Sequence, residues 1–258
     1  MVSPQNRFTM EQQQGLIAIL DALGAADYSG DRISQFLESR NLVLRLLSSK
    51  AKDVLGDIES ELVTVFTFND TVLIVYVTGR PATVKDFEDF CLLLRKFVVD
   101  SLAQGILFRG AISTGLFHVN AKANTVMGPA VTDAAAWYNS ADWIGIMATP
   151  LATLHMRSLI AQSKADLDHV VVDYPVPLKS QTSNSLKAVN WPKAFYVHGL
   201  RPLAEGENPK AKCLSLLARH GVPRGSESKY FNTIAFFDYC VELWRKQQKE
   251  KAKKRRVG

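Results

Sequence analysis

With 258 residues, of which 47% are hydrophobic and 22% charged, the chain has ordinary globular composition and enough length for a sizeable core. No apolar run reaches the ~20 residues of a membrane-spanning helix, and three scattered cysteines show no metal-binding spacing, so we expect free thiols and a cytoplasmic protein without a membrane span. Much of the net charge of +6 lies in the terminal KQQKEKAKKRRVG, which indicates either a solvated helix end or a contact with nucleic acid or acidic lipid. We expect the solvated end and no nucleic-acid partner.

The first predicted elements are a strand, a loop and a helix. The run GLIAIL has the apolar content of a buried strand and ends at Asp21. Ser29 or Asp31 is the expected N-cap of a helix that continues to about Lys50 with apolar residues at helical spacing. The loop between them, residues 27–29, offers backbone amides that can cradle phosphates, although it lacks a Walker pattern.

A tight hairpin follows in VFTFNDTVLIVYV, where two β-branched and aromatic runs meet at Asn69 and Asp70. The favoured two-residue tip is Asn-Gly, because both central residues of that turn need positive φ. The carboxylate of Asp70 stands where glycine would fold more easily, which suggests a role beyond the turn.

The next elements complete a recognisable order. ATVKDFEDFCLLLRKFVVDSLAQG predicts an amphipathic helix capped by Thr83 and ended by Gly105. ILFRGAISTGLFHV reads as a long strand, GPAVTDAAAWYNSA as a helix with Pro129 in its first turn, and IGIMAT as a short strand. The order β-α-β-β-α-β predicts an α+β fold with a ferredoxin-like core, a mixed sheet and helices on one face.

Beyond Pro150 the pattern loosens. We expect a helix over 150–163, a strand at HVVVDY, Pro-rich loops, and a final helix from Ser228 to about Lys251. One side of that last helix is predicted to hold Phe231, Ile234, Phe237, Val241 and Trp244. We therefore divide the chain into a core, 1–150, and a helical and strand extension, 151–258, that packs on it and ends in the basic helix.

Asp21 and Asp70 are candidate metal ligands, since the βαββαβ order places the first strand beside the hairpin and can bring both to one sheet edge. Two carboxylates that face one point repel each other unless a cation lies between them. Hard divalent cations prefer such oxygens and usually keep substrate phosphates as well. Two-metal sites of this kind serve in-line displacement at phosphorus. The alternative is that Asp70 is a tolerated turn residue and Asp21 a strand-end cap.

The succession of ILDALG, FNDTVLIV, RGAIS and GPAVTDAA resembles the class III nucleotidyl cyclase catalytic domain over residues 15 to about 148. The resemblance implies that Asp21, the backbone of Ala22 and Asp70 bind two metal ions that hold a nucleoside triphosphate. In that family the ribose 3′-hydroxyl attacks the α-phosphate, pyrophosphate leaves, and the active sites lie between two protomers of a dimer.

Several positions depart from the adenylyl cyclase pattern. Phe66 stands in place of a base-reading lysine, and Thr125 in place of an adenine-reading aspartate. Thr132 and Ala136 stand where the family has an asparagine and an arginine aimed at the substrate. Loss of that arginine would remove a positive charge that stabilises the phosphoryl transition state. Either the site is inactive, or another cation replaces it, or the substrate differs.

Within the family, the chain is most similar to the Pycsar antiphage pyrimidine cyclases, in FRGAIS, in the weakened Asn/Arg helix and in the missing purine readers. That resemblance implies a homodimer that converts UTP to 3′,5′-cyclic UMP with Mn²⁺ or Mg²⁺, two ions per site, and a downstream effector that senses the product. The alternatives are a cytidylate or purine nucleotide cyclase, or a degenerate nucleotide-binding module.

Arg109, which opens the fourth strand, is the candidate for recognising the base or a phosphate, because a planar guanidinium suits carbonyl and phosphate oxygens. A salt bridge with an acid such as Asp100 or Asp133 is the alternative. Phe66 is expected either to stack on the base or to fill the core. Phe66, Thr125 and Thr132 complete the predicted substrate-binding set.

Overall fold

The structure is a computed structural model that describes residues 11–25, 29–56, 61–197, 207–219 and 221–257. Within these residues the strands are β1 (Glu11–Ala22), β2 (Val63–Phe68), β3 (Thr71–Val77), β4 (Phe108–Asn120), β5 (Thr125–Met127), β6 (Gly145–Ala148), β7 (Val171–Pro177) and β8 (Ser183–Val189). The helices are α1 (Asp31–Leu55), α2 (Val84–Ala103), α3 (Pro129–Trp137), α4 (Pro150–Ser163), α5 (Lys193–Tyr196), α6 (Pro209–Ala218) and α7 (Glu227–Val257).

All eight strands form one open mixed sheet in the order β2-β3-β1-β4-β6-β8-β7, with β5 attached to the end of β4. The pairs β2–β3, β3–β1 and β1–β4 are antiparallel, and β4 pairs parallel with β6. The order β2-β3-β1-β4 is that of a βαββαβ core, so the predicted α+β class is confirmed. The extension continues this sheet through β8 and β7, and a division at residue 150 stays a prediction.

The sheet carries helices on both faces, so the prediction of helices on one face was wrong. Alternating residues of β1 divide between two cores: Leu16 and Leu20 join the main core with α1, α2, α4 and α7, whereas Ile19 lies in a smaller core under α3. The small residues Ala130 and Ala134 let α3 approach the second face closely. A helix with so little apolar bulk gives a weak hydrophobic pattern in the sequence.

Local chemistry explains the helix and turn boundaries. Thr83 forms a capping box with Asp86 at the start of α2, as predicted for the cap, and Gly105 follows the helix with a left-handed φ of 82°. The N-cap of α1 is Gly30 rather than Ser29 or Asp31, and no side chain bonds to the first amides of that helix.

The long helix α7 is held to the sheet by aromatic packing. The ring of Phe236 lies 4.7 Å from Trp143 and 4.8 Å from Tyr174, measured between centroids. Phe237 is buried as predicted, but Phe231 is 69% exposed and does not belong to the buried side. In the part of the chain that the structure describes, no helix has the length and apolar character to cross a membrane.

Candidate functional site

The centre of the candidate site is a row of residues that crosses the sheet where β1 ends and β4 begins. Thr71 of β3 pairs with Asp21 of β1, Asp21 pairs with Arg109 of β4, and Arg109 pairs with Gly145 of β6. Because side chains alternate along a strand, Asp21 points to the same face as Ile19. Strand register, rather than nearness in sequence, therefore brings Asp21 and Arg109 together.

Asp70 reaches this row through the hairpin tip. Its carbonyl oxygen accepts a hydrogen bond of 3.1 Å from the amide of Ala22, and Arg40 Nη1 donates to the Asn69 carbonyl at 2.6 Å. Of the two residues at the hairpin tip, only Asn69 has a positive φ, of 53°. The expectation that both tip residues need a positive φ was therefore wrong for this hairpin. An aspartate fits at position 70 without left-handed strain, and the structure brings the backbones of Asp21 and Asp70 together at one sheet edge.

Arg109 pairs with Asp21. Its Nε and Nη2 donate to Asp21 Oδ2 at 3.1 and 2.9 Å, and the side chains of Arg109 and Asp21 are only 12% and 17% exposed. The alternative of a salt bridge is thus confirmed, but the acid is Asp21 and not one of the suggested examples, Asp100 and Asp133. Asp133 instead accepts hydrogen bonds from Ser113 and Thr149, both at 2.6 Å. The buried guanidinium therefore neutralises a candidate metal ligand.

The donor set fits a divalent cation that binds together with substrate. Asp21, Asp70 and the backbone of Ala22 offer oxygen ligands at one edge, and no group of three or more His, Cys, Asp or Glu side chains among the described residues could hold a metal ion. Mg²⁺ and similar ions are commonly held by one or two carboxylates with substrate phosphates and water completing the shell. Two carboxylates therefore suit such a cation and not a closed structural site.

A cavity of about 500 Å³ lies beside this row. Among its described lining residues four are basic and none is acidic; the basic residues are Arg32, Arg109, Lys179 and Lys229. Burial first, then the neighbouring charges of Arg109 and Lys229, lower the pKa of Lys179. The cavity is thus lined by four cations, of which Arg109 and Lys229 also pair with Asp21 and Asp142. Sequence reasoning missed it because its cations come from four separate parts of the chain.

The other predicted substrate residues lie elsewhere. Phe66 is buried in the smaller core with Ile19, which agrees with the alternative of a core aromatic. Two residues further on the same face of β2, Phe68 is 75% exposed at the hairpin tip, and the sequence analysis did not select it. Phe68 becomes a candidate only in the structure, where its large aromatic side chain is exposed beside Asp70.

Thr125 is remote from the charged row, and the helix residues Thr132 and Ala136 are exposed. Thr125 pairs with Asn120 at the far end of β4, eleven positions from Arg109, or about 35 Å at the rise of a strand. Thr132 and Ala136 are exposed on α3. The structure therefore does not bring Thr125 to Asp21 within one chain. Residues 27 and 28 of the predicted phosphate loop lie outside the described residues.

Comparison with known proteins gives structural neighbours only. The catalytic core of a rhodopsin-guanylyl cyclase with converted specificity, in complex with ATPαS, aligns over 70% of this chain and 97% of its own, with 14% identity and a TM-score of 0.44. The guanylyl cyclase Cya2 aligns over 70% and 92%, with 15% identity and a TM-score of 0.35. No protein-family model and no curated protein matches the sequence.

Proposed function

We propose that the protein is a nucleotidyl cyclase that closes a nucleoside triphosphate, with UTP favoured, into its 3′,5′-cyclic monophosphate and releases pyrophosphate. The observation that carries this proposal is the docking of the Asp70 hairpin onto the end of β1, which sets two aspartates beside a cavity lined by cations. Carboxylates attract divalent cations, and a basic cavity attracts phosphates. The two together suit a metal-bound triphosphate.

Each residue at the charged edge has a distinct task in this proposal. Asp21, Asp70 and the Ala22 backbone would hold Mn²⁺ or Mg²⁺, two ions per site, which supply charge to activate the 3′-hydroxyl and to balance the departing pyrophosphate. Arg109 holds Asp21 in place through Oδ2, and its planar fork can turn to the phosphate oxygens when substrate is bound. The basic cavity orients the phosphates in line with the attacking oxygen.

A homodimer supplies the remaining contacts in this proposal. Thr125 lies far from Asp21 in one chain and Thr132 is exposed on α3, so both would act on the substrate held by the partner protomer. The loss of both purine readers, at Phe66 and Thr125, favours a pyrimidine. The similarity to the Pycsar cyclases favours UTP and suggests that the cyclic product is a second messenger of antiphage defence, read by a separate effector.

The direct test is incubation of the purified chain with Mn²⁺ and ATP, GTP, CTP or UTP, followed by mass spectrometry of the products. We expect cyclic UMP from the wild type and from Asp53→Asn, whose carboxylate lies in a surface ion pair with Lys50, and none from Asp70→Asn. Absence of every cyclic product would contradict the proposal. Calorimetry of UTP binding with and without Mn²⁺ would then identify a nucleotide-binding module.

A further inference from the structure

The first turn of α7 is fixed against the charged row by a chain of hydrogen bonds. The fully buried hydroxyl of Thr233 donates to the carbonyl of Lys229 at 2.6 Å and accepts from the amide of Ile144 at 2.8 Å. Ile144 directly precedes Gly145, which pairs with Arg109 across β4 and β6. The position of Lys229 is therefore tied to the strand that carries Arg109, although the two residues lie in opposite halves of the sequence.

The side chain of Lys229 lies in a setting that is ready for an anion. Its ammonium is 3.8 Å from Asp142 Oδ1, a long ion pair, and both side chains are 19% exposed. Asn232 also contacts Asp142, since its Nδ2 donates to the Asp142 backbone carbonyl at 2.8 Å and, at the longer distance of 3.5 Å, to the carboxylate Oδ2. Asp142 thus keeps a partner if Lys229 turns away from it.

Lys229 lines two neighbouring cavities. One is the basic cavity of about 500 Å³ beside Arg109, and the other, of about 660 Å³, is also lined by Asp142. Lys179 lines both as well. The four cations of the first cavity repel one another, and a bound polyanion reduces that cost. A turn of the Lys229 side chain is enough to move its charge from Asp142 to such a ligand.

We propose that Lys229, at the start of the C-terminal helix and outside the βαββαβ core, is a binding residue for the β- and γ-phosphates of the triphosphate. This inference rests on the proposed function only for the identity of the ligand. Lys229 would supply positive charge to the phosphates in a chain that has Ala136 in place of the family's arginine. The extension is then part of the substrate site and not only a support for the sheet.

The test is calorimetric titration of inorganic tripolyphosphate into the full chain without metal. Loss of one charge-assisted contact, worth roughly 1.5–3 kcal/mol, should weaken binding about 10- to 100-fold in Lys229→Gln. Lys246→Gln, which removes the same charge from an exposed position on the same helix, should bind like the wild type. Lys229→Arg should stay within about threefold, because it keeps the charge.

Asp142→Asn separates binding from structure. It breaks the same ion pair but leaves the ammonium in place, so it should bind tripolyphosphate as tightly as the wild type or more tightly. Equal weakening in Asp142→Asn and Lys229→Gln would mean that the ion pair only holds the helix, and would overturn the inference. So would unchanged binding in Lys229→Gln, or no binding by the wild type.

The cyclase assay distinguishes failure of this inference from failure of the proposed function. Tripolyphosphate binding that depends on Lys229, without a cyclic product from any nucleotide, would sink the cyclase and leave the phosphate site. If the wild type makes cyclic nucleotide and Lys229→Gln leaves KM unchanged, the cyclase proposal stands and the role of Lys229 in phosphate binding is refuted.

Discussion

The first residues of β4 lie beside Asp21 and a cavity lined by cations, whereas its last residues pair with the short strand β5 through Asn120 and Thr125. At the first end Arg109 is buried against Asp21, and Asp70 docks alongside through a backbone hydrogen bond. The far end presents hydroxyl and amide groups to solvent and lies about 35 Å away. One chain therefore concentrates charged groups at one end of the strand, and under the proposed function we expect the base to be recognised by groups from a second chain.

Removing the carboxylate at the charged end should have the largest effect. Asp21→Asn takes away an oxygen ligand of the proposed cations, whose stabilisation of transition-state charge is worth several kcal/mol, so kcat should fall on the order of 10³-fold. The melting temperature should also fall, since the amide oxygen can still accept from Arg109 but no longer balances its charge. Steady-state kinetics with Mn²⁺ and UTP measure the effect. A loss smaller than about tenfold would show that Asp21 is only a strand-end cap.

The guanidinium of Arg109 should have the next largest effect. Arg109→Lys keeps the charge but loses the planar fork that bonds Asp21 twice, so kcat/KM for UTP should fall about 10- to 100-fold. Arg157→Lys is a matched control, because Arg157 Nε and Nη2 bond one oxygen of Asp173 at 3.2 and 2.8 Å outside the basic cavity. Equal activity of the two variants would contradict a role for Arg109 at the substrate.

Mixing two inactive variants tests whether the two ends act in different chains. Asp70→Asn removes a proposed metal ligand, and Thr132→Trp blocks the exposed face of α3. In a symmetric dimer that exchanges subunits, half of the mixed population is heterodimers, each with one intact site, so about a quarter of the wild-type activity should return. Recovery is measured after incubation of the two proteins at equal concentration. No recovery would place both residues in one protomer's site, or outside it.

The local elements were predictable from the sequence where their signals are local. The cap at Thr83, the turn at Asn69 and the apolar run of β1 depend on neighbouring residues, and each was found at its predicted place, although β1 begins earlier, at Glu11. In contrast, β8 was missed because SNSLKAV begins with exposed polar residues and carries no clear alternation. α6 was likewise read as part of a Pro-rich loop.

The candidate site was predictable only in part. The nearness of Asp21 and Asp70 follows from strand order, which the sequence pattern indicates. The pairing of Arg109 with Asp21 follows from the register of β1 on β4, and the approach of Lys229 follows from how α7 packs on β6. Register and helix docking are tertiary properties, so the chain's own pattern left several partners open for Arg109.

A change at Asp133 of α3 tests the middle of β4, where Ser113 donates to the Asp133 carboxylate. We expect this carboxylate to stabilise the fold and not to contact the substrate. Its Oδ2 accepts hydrogen bonds from Ser113 and Thr149, whose side chains are fully buried. Asp133→Ala leaves both hydroxyls without this acceptor, so it should lower the free energy of unfolding by roughly 1–3 kcal/mol, measured by urea denaturation. At 25 °C, where most of the chain stays folded, kcat/KM should remain within about threefold of the wild type. A large loss of activity at unchanged stability would instead extend the reactive edge along β4, and the contrast between its two ends would no longer hold.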